Sequence, residues 1–319
     1  MATSLTDLQK QLLLIICTIG FFTFTKQILK FIKWVWVMFI RSPKKLTNYG
    51  SWALITGCTD GIGKALASDL ASDGLNLTLV GRNQLKLEAI SNEILEKHGK
   101  ENIETKIIVI DFAKIVGEEV EMKIKEEIEG LDVGVLVNNV GMLNSKPKFF
   151  HEVDFEEIHD LINVNLNSLT WVTRAVLPCM LKKKKGAIVN IGSGSTCAVP
   201  SFPLFALYAA TKGYLAMFSR SLSVEYQQHG IDVQCQIPFL VATKMALMIR
   251  ILPVPPFFIP SPEQYSKASI RCIGFEPLCV PYWTHAFQWC LSSLLPESVV
   301  NWVLFKYFVG LRRKMIQKE

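Results

Sequence analysis

The stretch Trp52-Ala-Leu-Ile-Thr56, followed by Gly57-Cys-Thr-Asp-Gly61-Ile-Gly63 and a helical pattern through Ala71, constrains this chain more than any other. A short apolar run rich in β-formers, then a glycine turn, then a helix start is the order of a crossover unit in a parallel sheet. Amide N–H groups in such a turn, together with the helix N-terminus, receive a pyrophosphate. The spacing departs from the usual G-x-G-x-x-G, so the glycines draw their meaning from the strand before them and the helix after them.

The alternation continues along the chain. Residues 75–81 (LNLTLVG), 106–111 (KIIVID), 131–137, 187–191 and 231–237 (IDVQCQI) read as strands, and residues 116–129, 155–181 and 205–226 as helices. That order predicts an α/β, Rossmann-like doubly wound parallel sheet covered on both faces. Ligands in such sheets lie beyond the C-terminal ends of the strands, which is where Gly57, Asn138, Ser193 and Pro238 fall.

Two further features point to chemistry. Tyr208 and Lys212 are four residues apart on the expected helix 205–226, which places both on one face. A phenol beside an ammonium is favoured in its charged form, so the expectation is a lowered Tyr208 pKa and proton exchange near neutral pH. The same spacing arises by chance on many helices, and only the surrounding strand ends set this pair apart. Arg82 follows the second strand, where a site preferring NAD would place an acid on the ribose 2′-hydroxyl. A guanidinium suits a 2′-phosphate, so the expected cofactor is NADP(H), the competing reading being a solvated surface arginine.

Composition narrows the class. The 319 residues allow one large domain or two small ones, and the formal charge of +6 comes without a basic stripe or a recognisable nucleic-acid module, so no nucleic-acid partner is expected. Eight scattered cysteines show no metal-ligand spacing, which predicts reduced, mostly structural thiols in a cytosol-facing protein and no metal site. Half the residues are hydrophobic and the mean hydropathy is +0.28, a surplus that points to lipid. From Gln11 to Thr25 the chain carries no charge, and its apolar character resumes over 28–40 around Lys26, Lys30 and Lys33. This is read as a membrane anchor whose lysines snorkel. A signal peptide would need a basic n-region and a small-residue cleavage site, which are missing, and a soluble amphipathic hairpin is the other alternative. Lys26, Lys30, Lys33, Arg41, Lys44 and Lys45 follow with no acid before Asp60, which by the positive-inside rule keeps the next domain cytoplasmic.

Taken together, Thr56-Gly-x-x-x-Gly61-x-Gly63, Asn138-Asn-Val-Gly141, Asn165, Ser193, Tyr208-x-x-x-Lys212 and the segment from Pro238 to Thr243 resemble the short-chain dehydrogenase/reductase family over roughly residues 48 to 245. The anchor, the entry Gly50-Ser-Trp-Ala-Leu-Ile-Thr-Gly, the phrase Gly230-Ile-Asp-Val-Gln-Cys-Gln and Val241-Ala-Thr-Lys-Met245 are similar to a narrower branch. That branch holds the microsomal very-long-chain 3-oxoacyl-CoA reductases, the plant ones especially, and related 17β-type hydroxysteroid dehydrogenases.

The resemblance implies roles. Tyr208 would give a proton to a carbonyl oxygen that Ser193, or alternatively Ser195, holds; Lys212 would hold the nicotinamide ribose and lower the Tyr208 pKa; Asn165 would support a water-linked proton route to Lys212. Thr56, Gly57, Thr59, Asp60, Gly61, Ile62, Gly63, Arg82, Asp111, Asn138, Pro238 and Thr243 would join Tyr208 and Lys212 in binding the cofactor, Asp111 near adenine and Asn138 near its ribose. Three departures from the family pattern stand out: Val140 in place of Ala, Gly192 before Ser193 in place of a second serine, and Phe239 after Pro238 in place of Gly.

Beyond Thr243, residues 249–262 combine apolar side chains with five prolines and cannot form a regular helix or central strand. The resemblance makes this segment a substrate lid, lined by Met245, Met248, Phe257 and Phe258, or these pack as ordinary core. Residues 281–311 are rich in Trp, Phe and Leu and end in Arg312-Arg-Lys314, read either as a membrane-facing or re-entrant region or as a buried helix pair. The run Lys182 to Lys185 is read as a solvated helix end, or as a contact for an acidic head group or CoA phosphates.

The expected organisation is therefore an anchor and basic linker over 1–47, an NADP-binding reductase core over 48–245, and a lid with a membrane-associated C-terminal region over 246–319. The resemblance implies NADPH-dependent reduction of 3-oxoacyl-CoA in very-long-chain fatty-acid elongation, at the endoplasmic reticulum membrane with the catalytic domain in the cytosol. It also implies an acyl-CoA substrate, membrane lipid, other elongation enzymes and a second copy of the chain as partners. The alternatives are a 17β-type hydroxysteroid dehydrogenase and a low-activity nucleotide-binding scaffold subunit.

Overall fold

The computed structural model describes residues 2–99, 102–248 and 255–317. The chain divides into two compact units, Met1–Ser42 and Pro43–Glu319.

The first unit is one helix, α1 (Ala2–Val35), which passes into a π-helical turn at Trp36–Ile40. Within Thr6–Ile40 an 18-residue window reaches a mean hydropathy of 1.9, and none of it is buried. At 1.5 Å per residue the stretch Thr6–Ile40 is roughly 50 Å long, more than the ~30 Å of a bilayer core. The hydroxyls within it turn inward on the helix: Thr18 Oγ1 donates to the Leu14 carbonyl at 2.7 Å and Thr23 Oγ1 to the Ile19 carbonyl at 2.9 Å. That is how polar groups are satisfied where no water is available.

The second unit runs β1 (Trp52–Thr56), α2 (Gly61–Ser72), β2 (Asn76–Gly81), α3 (Gln84–His98), β3 (Thr105–Val109), α4 (Glu118–Glu127), β4 (Val133–Asn138), α5 (Phe155–Ile162), α6 (Ser168–Lys183), β5 (Gly186–Ile191) and α7 (Ala206–Tyr226). It continues with β6 (Ile231–Gln236), α8 (Lys244–Met248), α9 (Pro262–Cys272), β7 (Leu278–Cys279), α10 (Trp283–Ser293) and α11 (Glu297–Ile316). The strands form one parallel sheet in the order β3-β2-β1-β4-β5-β6-β7, with Ile55 beside Leu79 on one side and Val137 on the other. Chain order reverses between β1 and β4, which opens a crevice at their C-terminal ends.

Alternation along β1 shows why its sequence is apolar throughout. Ala53 and Ile55 belong to one core cluster with Leu66 and Leu70 of α2 and Leu87 of α3. Leu54 belongs to another with Ile124 of α4 and Val172 and Val176 of α6. A strand covered on both faces has no side left for polar residues.

Three features differ from the sequence expectation. The helix expected over 155–181 is interrupted by a π-helical turn at Asn163–Asn167. A seventh strand, β7, joins the sheet edge beside β6; at two residues it is too short to leave a periodic signal. In the expected lid, residues 249–254 and the side chain of Met248 lie outside the described residues. The remainder forms a 3-10 turn at Pro256–Phe258 and the start of α9, where Ser261 and Gln264 make a reciprocal capping box ahead of Pro262.

Candidate active site

The glycine turn after β1 is shaped by its neighbours. Gly57 (φ +67°) and Gly61 (φ +54°) occupy the left-handed region. A Cβ on Gly57 would lie 2.8 Å from the Val140 Cα, and one on Gly63 would strike the Gly57 carbonyl oxygen and Asn139 Nδ2. Asn139 holds this turn: its Nδ2 donates to the carbonyls of Thr56 (3.1 Å) and Gly57 (2.9 Å). The Thr56 hydroxyl in return accepts the N–H groups of Asn139 and Val140, each at 3.1 Å. Asp60 caps α2 by accepting the Gly61 N–H at 2.8 Å, and its other oxygen pairs with Lys244 at 2.6 Å. The N–H groups of Ile62 and Gly63 in the first helical turn have no intrahelical acceptor.

The remaining strand ends meet this turn along one edge. Thr59 lies against Gly81, and Thr243 sits over Gly61, where a Cβ would come 3.0 Å from its Cγ2. Arg82 is exposed just past β2 and its guanidinium has no partner among the described residues. Asp111 caps the turn after β3 by accepting the Ala113 N–H at 3.2 Å. Asn138 is turned inward, its Nδ2 donating to Thr173 at 3.0 Å and Asn190 at 2.8 Å. Its amide is therefore part of the core under α6, and it is the next residue, Asn139, that reaches the glycine turn.

The cradle fits a dinucleotide on these observations: glycines whose Cβ atoms would collide with the turn, free amides at the start of α2, and an unpartnered guanidinium beyond β2.

Tyr208 and Lys212 both point inward from α7, with 8 % and 5 % of their surface exposed. Ser193 is the side chain near enough to the Tyr208 hydroxyl to draw its titration down against burial. Ser193 Oγ also accepts from the Ser195 N–H at 3.2 Å and the Ser195 hydroxyl at 3.0 Å. Strand β5 thus presents Ser193 to the tyrosine, with Ser195 behind it. Lys212 Nζ donates to the Ile191 carbonyl at 3.0 Å and lies 6.0 Å from the Tyr208 ring centroid.

Asn165, 2 % exposed, sits at the middle of the π-helical turn. Its Oδ1 accepts the Met142 N–H at 2.8 Å, while its Nδ2 donates to the Met142 carbonyl and to Thr211 Oγ1, both at 3.0 Å. Thr211 in turn donates to the Tyr208 carbonyl at 2.7 Å. Asn165 therefore reaches the Tyr208 helix through Thr211. It borders the same space as Lys212: a Cβ on Gly141 would lie 3.3 Å from Lys212 Nζ and 3.4 Å from Asn165 Oδ1.

The expected lowering of the Tyr208 pKa is corrected. Burial pushes its phenol above the ordinary tyrosine value, with Ser193 pulling the other way. Burial brings Lys212 down to about 8. Desolvation outweighs the attraction because the ammonium is directed at a backbone carbonyl and not at the phenol.

The departures at Gly192 and Phe239 are each fixed by local packing. A Cβ on Gly192 would lie 2.8 Å from Ile237 Cδ1 and 3.0 Å from Cys235 Sγ, so a second serine has no room. The Phe239 ring lies over Gly194, 3.3 Å from where its Cβ would be. Val140 packs against the core cluster beneath α4 and α6.

The short chain dehydrogenase family matches residues 51–250. This chain belongs to that family. Members are oxidoreductases with a nicotinamide cofactor, and the edge described above is where this chain would hold it. A very-long-chain 3-oxoacyl-CoA reductase-like protein of Arabidopsis thaliana is 45 % identical over 302 residues, covering 94 % of this chain and 95 % of its own. A human protein named inactive hydroxysteroid dehydrogenase-like protein 1 is 40 % identical over 257 residues, covering 81 % and 76 %. Among solved structures, a short-chain dehydrogenase from Sphingobium yanoikuyae in complex with NADPH matches with a TM-score of 0.63 and 27 % identity, over 78 % of this chain and 94 % of that one.

Sequence reasoning did not single out Asn139, Thr211 or His285. Thr211 was legible, since position i+3 from Tyr208 shares its helix face. His285 is buried and bridges the start of the segment after β6: its Nδ1 accepts the Phe239 N–H at 3.3 Å and its Nε2 lies 3.1 Å from the Leu240 carbonyl oxygen. Nothing local in the sequence marks it.

Proposed function

We propose that this protein is an NADPH-dependent reductase of 3-oxoacyl-CoA thioesters, working in very-long-chain fatty-acid elongation at the endoplasmic reticulum membrane with its second unit in the cytosol. The observation that carries this reading is the buried Tyr208 and Lys212 on one face of α7, with Ser193 acting on the Tyr208 phenol and Asn165 bordering the same space as Lys212. It stands in a chain 45 % identical to a protein named for that reaction class.

When bound, the reduced nicotinamide supplies a hydride to the carbonyl carbon. Tyr208, kept protonated by burial, donates its hydroxyl proton to the carbonyl oxygen as charge develops there. Ser193 holds that oxygen through its own hydroxyl, and Ser195 fixes the Ser193 rotamer. Lys212 supplies an ammonium where a ribose would lie, and Asn165 fixes the backbone at Met142 and, through Thr211, the Tyr208 turn of α7. Arg82 is assigned to the 2′-phosphate, the feature favouring NADPH over NADH.

The relative named inactive supports a second reading, a nucleotide-binding scaffold subunit. Retention of Tyr208, Lys212, Ser193 and Asn165 in one connected site favours turnover. A 17β-type hydroxysteroid substrate is the alternative within the same chemistry.

Microsomes carrying wild type or Tyr208→Phe, supplied with NADPH and either 3-oxoacyl-CoA or a keto-steroid, test all three. Loss of a proton donor predicts a rate lower by roughly 10²–10⁴-fold in the variant. Equal activity in the two proteins sinks the catalytic readings, and steroid-only turnover selects the alternative. Running the assay with NADH, and with Arg82→Ala, tests the cofactor: an undiminished NADPH preference in that variant removes Arg82 from its role.

A further inference from the structure

The apolar surroundings of Tyr208 come from the far end of the chain. Tyr208, Leu204, Phe205 and Phe308 form one buried cluster, with Leu143, Phe202, Leu304 and Tyr307 packed against it. Phe308, on α11, has no exposed surface. Its ring meets Phe202 at 4.9 Å and Phe205 at 5.2 Å between centroids, both edge to face, and Phe202 lies 6.4 Å from the Tyr208 ring. Edge-to-face pairs fix ring orientation beyond what simple burial does, so the cluster is a defined wall and not loose packing.

Polar contacts hold α11 in place along its length. The Ser201 hydroxyl donates to Asn301 Oδ1 at 2.6 Å. Arg312 grips Glu152 with both terminal nitrogens, Nη2 reaching Oε1 at 2.6 Å, and its guanidinium lies 5.1 Å from the Phe149 ring centroid. Glu152 Oε2 also accepts the Phe149 N–H at 2.8 Å, and the Lys148 N–H donates to the Leu204 carbonyl at 3.1 Å. The β4–α5 loop, the β5–α7 loop and α11 are thus tied together around the tyrosine. In the described part of the proline-rich segment, Phe257 packs on Trp283 and Phe258 on Phe287, both of α10.

Tyr208 itself belongs to this cluster, so a ketone held at its hydroxyl lies next to the residues that pack on its ring. We propose that α11 is the substrate-side wall of the site, with Phe308 setting the bulk admitted beside Tyr208 and the Arg312–Glu152 pair clasping the wall shut. The inference rests on Tyr208 being the proton donor of a ketone reduction. Phe308 touches no reacting atom in this arrangement; it is a specificity-determining residue.

The test fills the space that Phe308 vacates. Purified full-length protein in detergent is given NADPH with 3-oxohexanoyl-CoA or with benzoylacetyl-CoA, which carries a phenyl group on the reacting carbonyl. A hydrophobic pocket discriminates by roughly 10–200-fold for small changes in fit. Phe308→Ala is expected to move the kcat/KM ratio toward the phenyl ketone by about tenfold, carried by KM, with NADPH binding unchanged. Phe308→Leu, which keeps an apolar side chain for folding, is expected to give a smaller shift in the same direction. Ratios within about twofold of wild type in both variants, with NADPH binding intact, overturn the role of Phe308.

Failure of wild type to reduce 3-oxohexanoyl-CoA defeats the functional reading instead, and amide hydrogen exchange then decides the wall. Arg312→Ala should speed exchange over residues 202–208 and 300–312 about tenfold, with Arg312→Lys restoring part of the protection. Exchange identical to wild type in Arg312→Ala overturns the clasp.

Discussion

Ser193 and Ser195 show how a single hydrogen-bond direction assigns a role. Ser195 spends both its N–H and its hydroxyl on Ser193, whereas Ser193 is the serine that acts on the Tyr208 phenol. Ser193→Ala is therefore expected to lower kcat by roughly 10²–10³-fold, the loss seen when an oxyanion donor is removed. Ser195→Ala, losing one supporting hydrogen bond of about 1 kcal/mol, should cost only about fivefold. Steady-state NADPH consumption measures both, and the reverse order would reassign the hydroxyl. Lys212 carries a prediction about pH. Brought down to about 8 by burial, it loses its charge above that pH, while the raised Tyr208 stays protonated. Reductive kcat/KM should hold through neutral pH and fall above about 8. Lys212→Arg, which does not titrate there, should move the fall to higher pH, even at a lower overall rate.

His285 belongs to the scale of elements, because it pins the chain leaving β6 to α10. Burial brings its imidazole down to about 4. The unfolded chain therefore binds a proton between about 6.5 and 4 that the folded chain refuses, and stability rises with pH across that window. The contribution is complete above about 6.5 and lost as pH falls through about 4, amounting to about 3 kcal/mol at most. Thermal unfolding at pH 7 and pH 4.5 should show this slope in wild type. His285→Leu should be less stable at pH 7, since Phe239 N–H and the Leu240 carbonyl lose their partner, yet show a flatter dependence. An unchanged slope would place the titration elsewhere. The π-helical turn at Asn163–Asn167 is another feature of this scale: the 3.6-residue period runs through it without marking it, and Asn165 uses it to bond Met142 and Thr211.

At the scale of the molecule, apolar surface is concentrated in two places. The stretch Thr6–Ile40 has no buried residue and is long enough to cross a bilayer. In α11, Val300, Leu304 and Phe308 face the core, yet Val299, Trp302 and Val303 on the other side remain exposed, Trp302 by 62 %. A helix apolar on both faces is at home where one face meets lipid. The chain is expected to stay in the membrane pellet after carbonate washing. Protease added to intact microsomes should digest the Pro43–Glu319 unit without detergent. Protection of that unit until detergent is added would reverse the orientation read from Lys26 through Lys45.

The sequence by itself determined six of the seven strands and singled out Tyr208, Lys212 and Ser193 as candidates, because strand and helix periods are local and glycine turns leave a local mark. It also determined the apolar helix, which composition alone reveals. Tertiary structure decided the rest. It chose Asn139 over Asn138 for the glycine turn, since that depends on which way a strand end faces. It raised the Tyr208 pKa where spacing suggested a fall, since burial is a property of the whole fold. It brought Phe308 to Tyr208 from the other end of the chain. Contacts between residues so far apart in sequence carry no period, and only the folded chain brings them together.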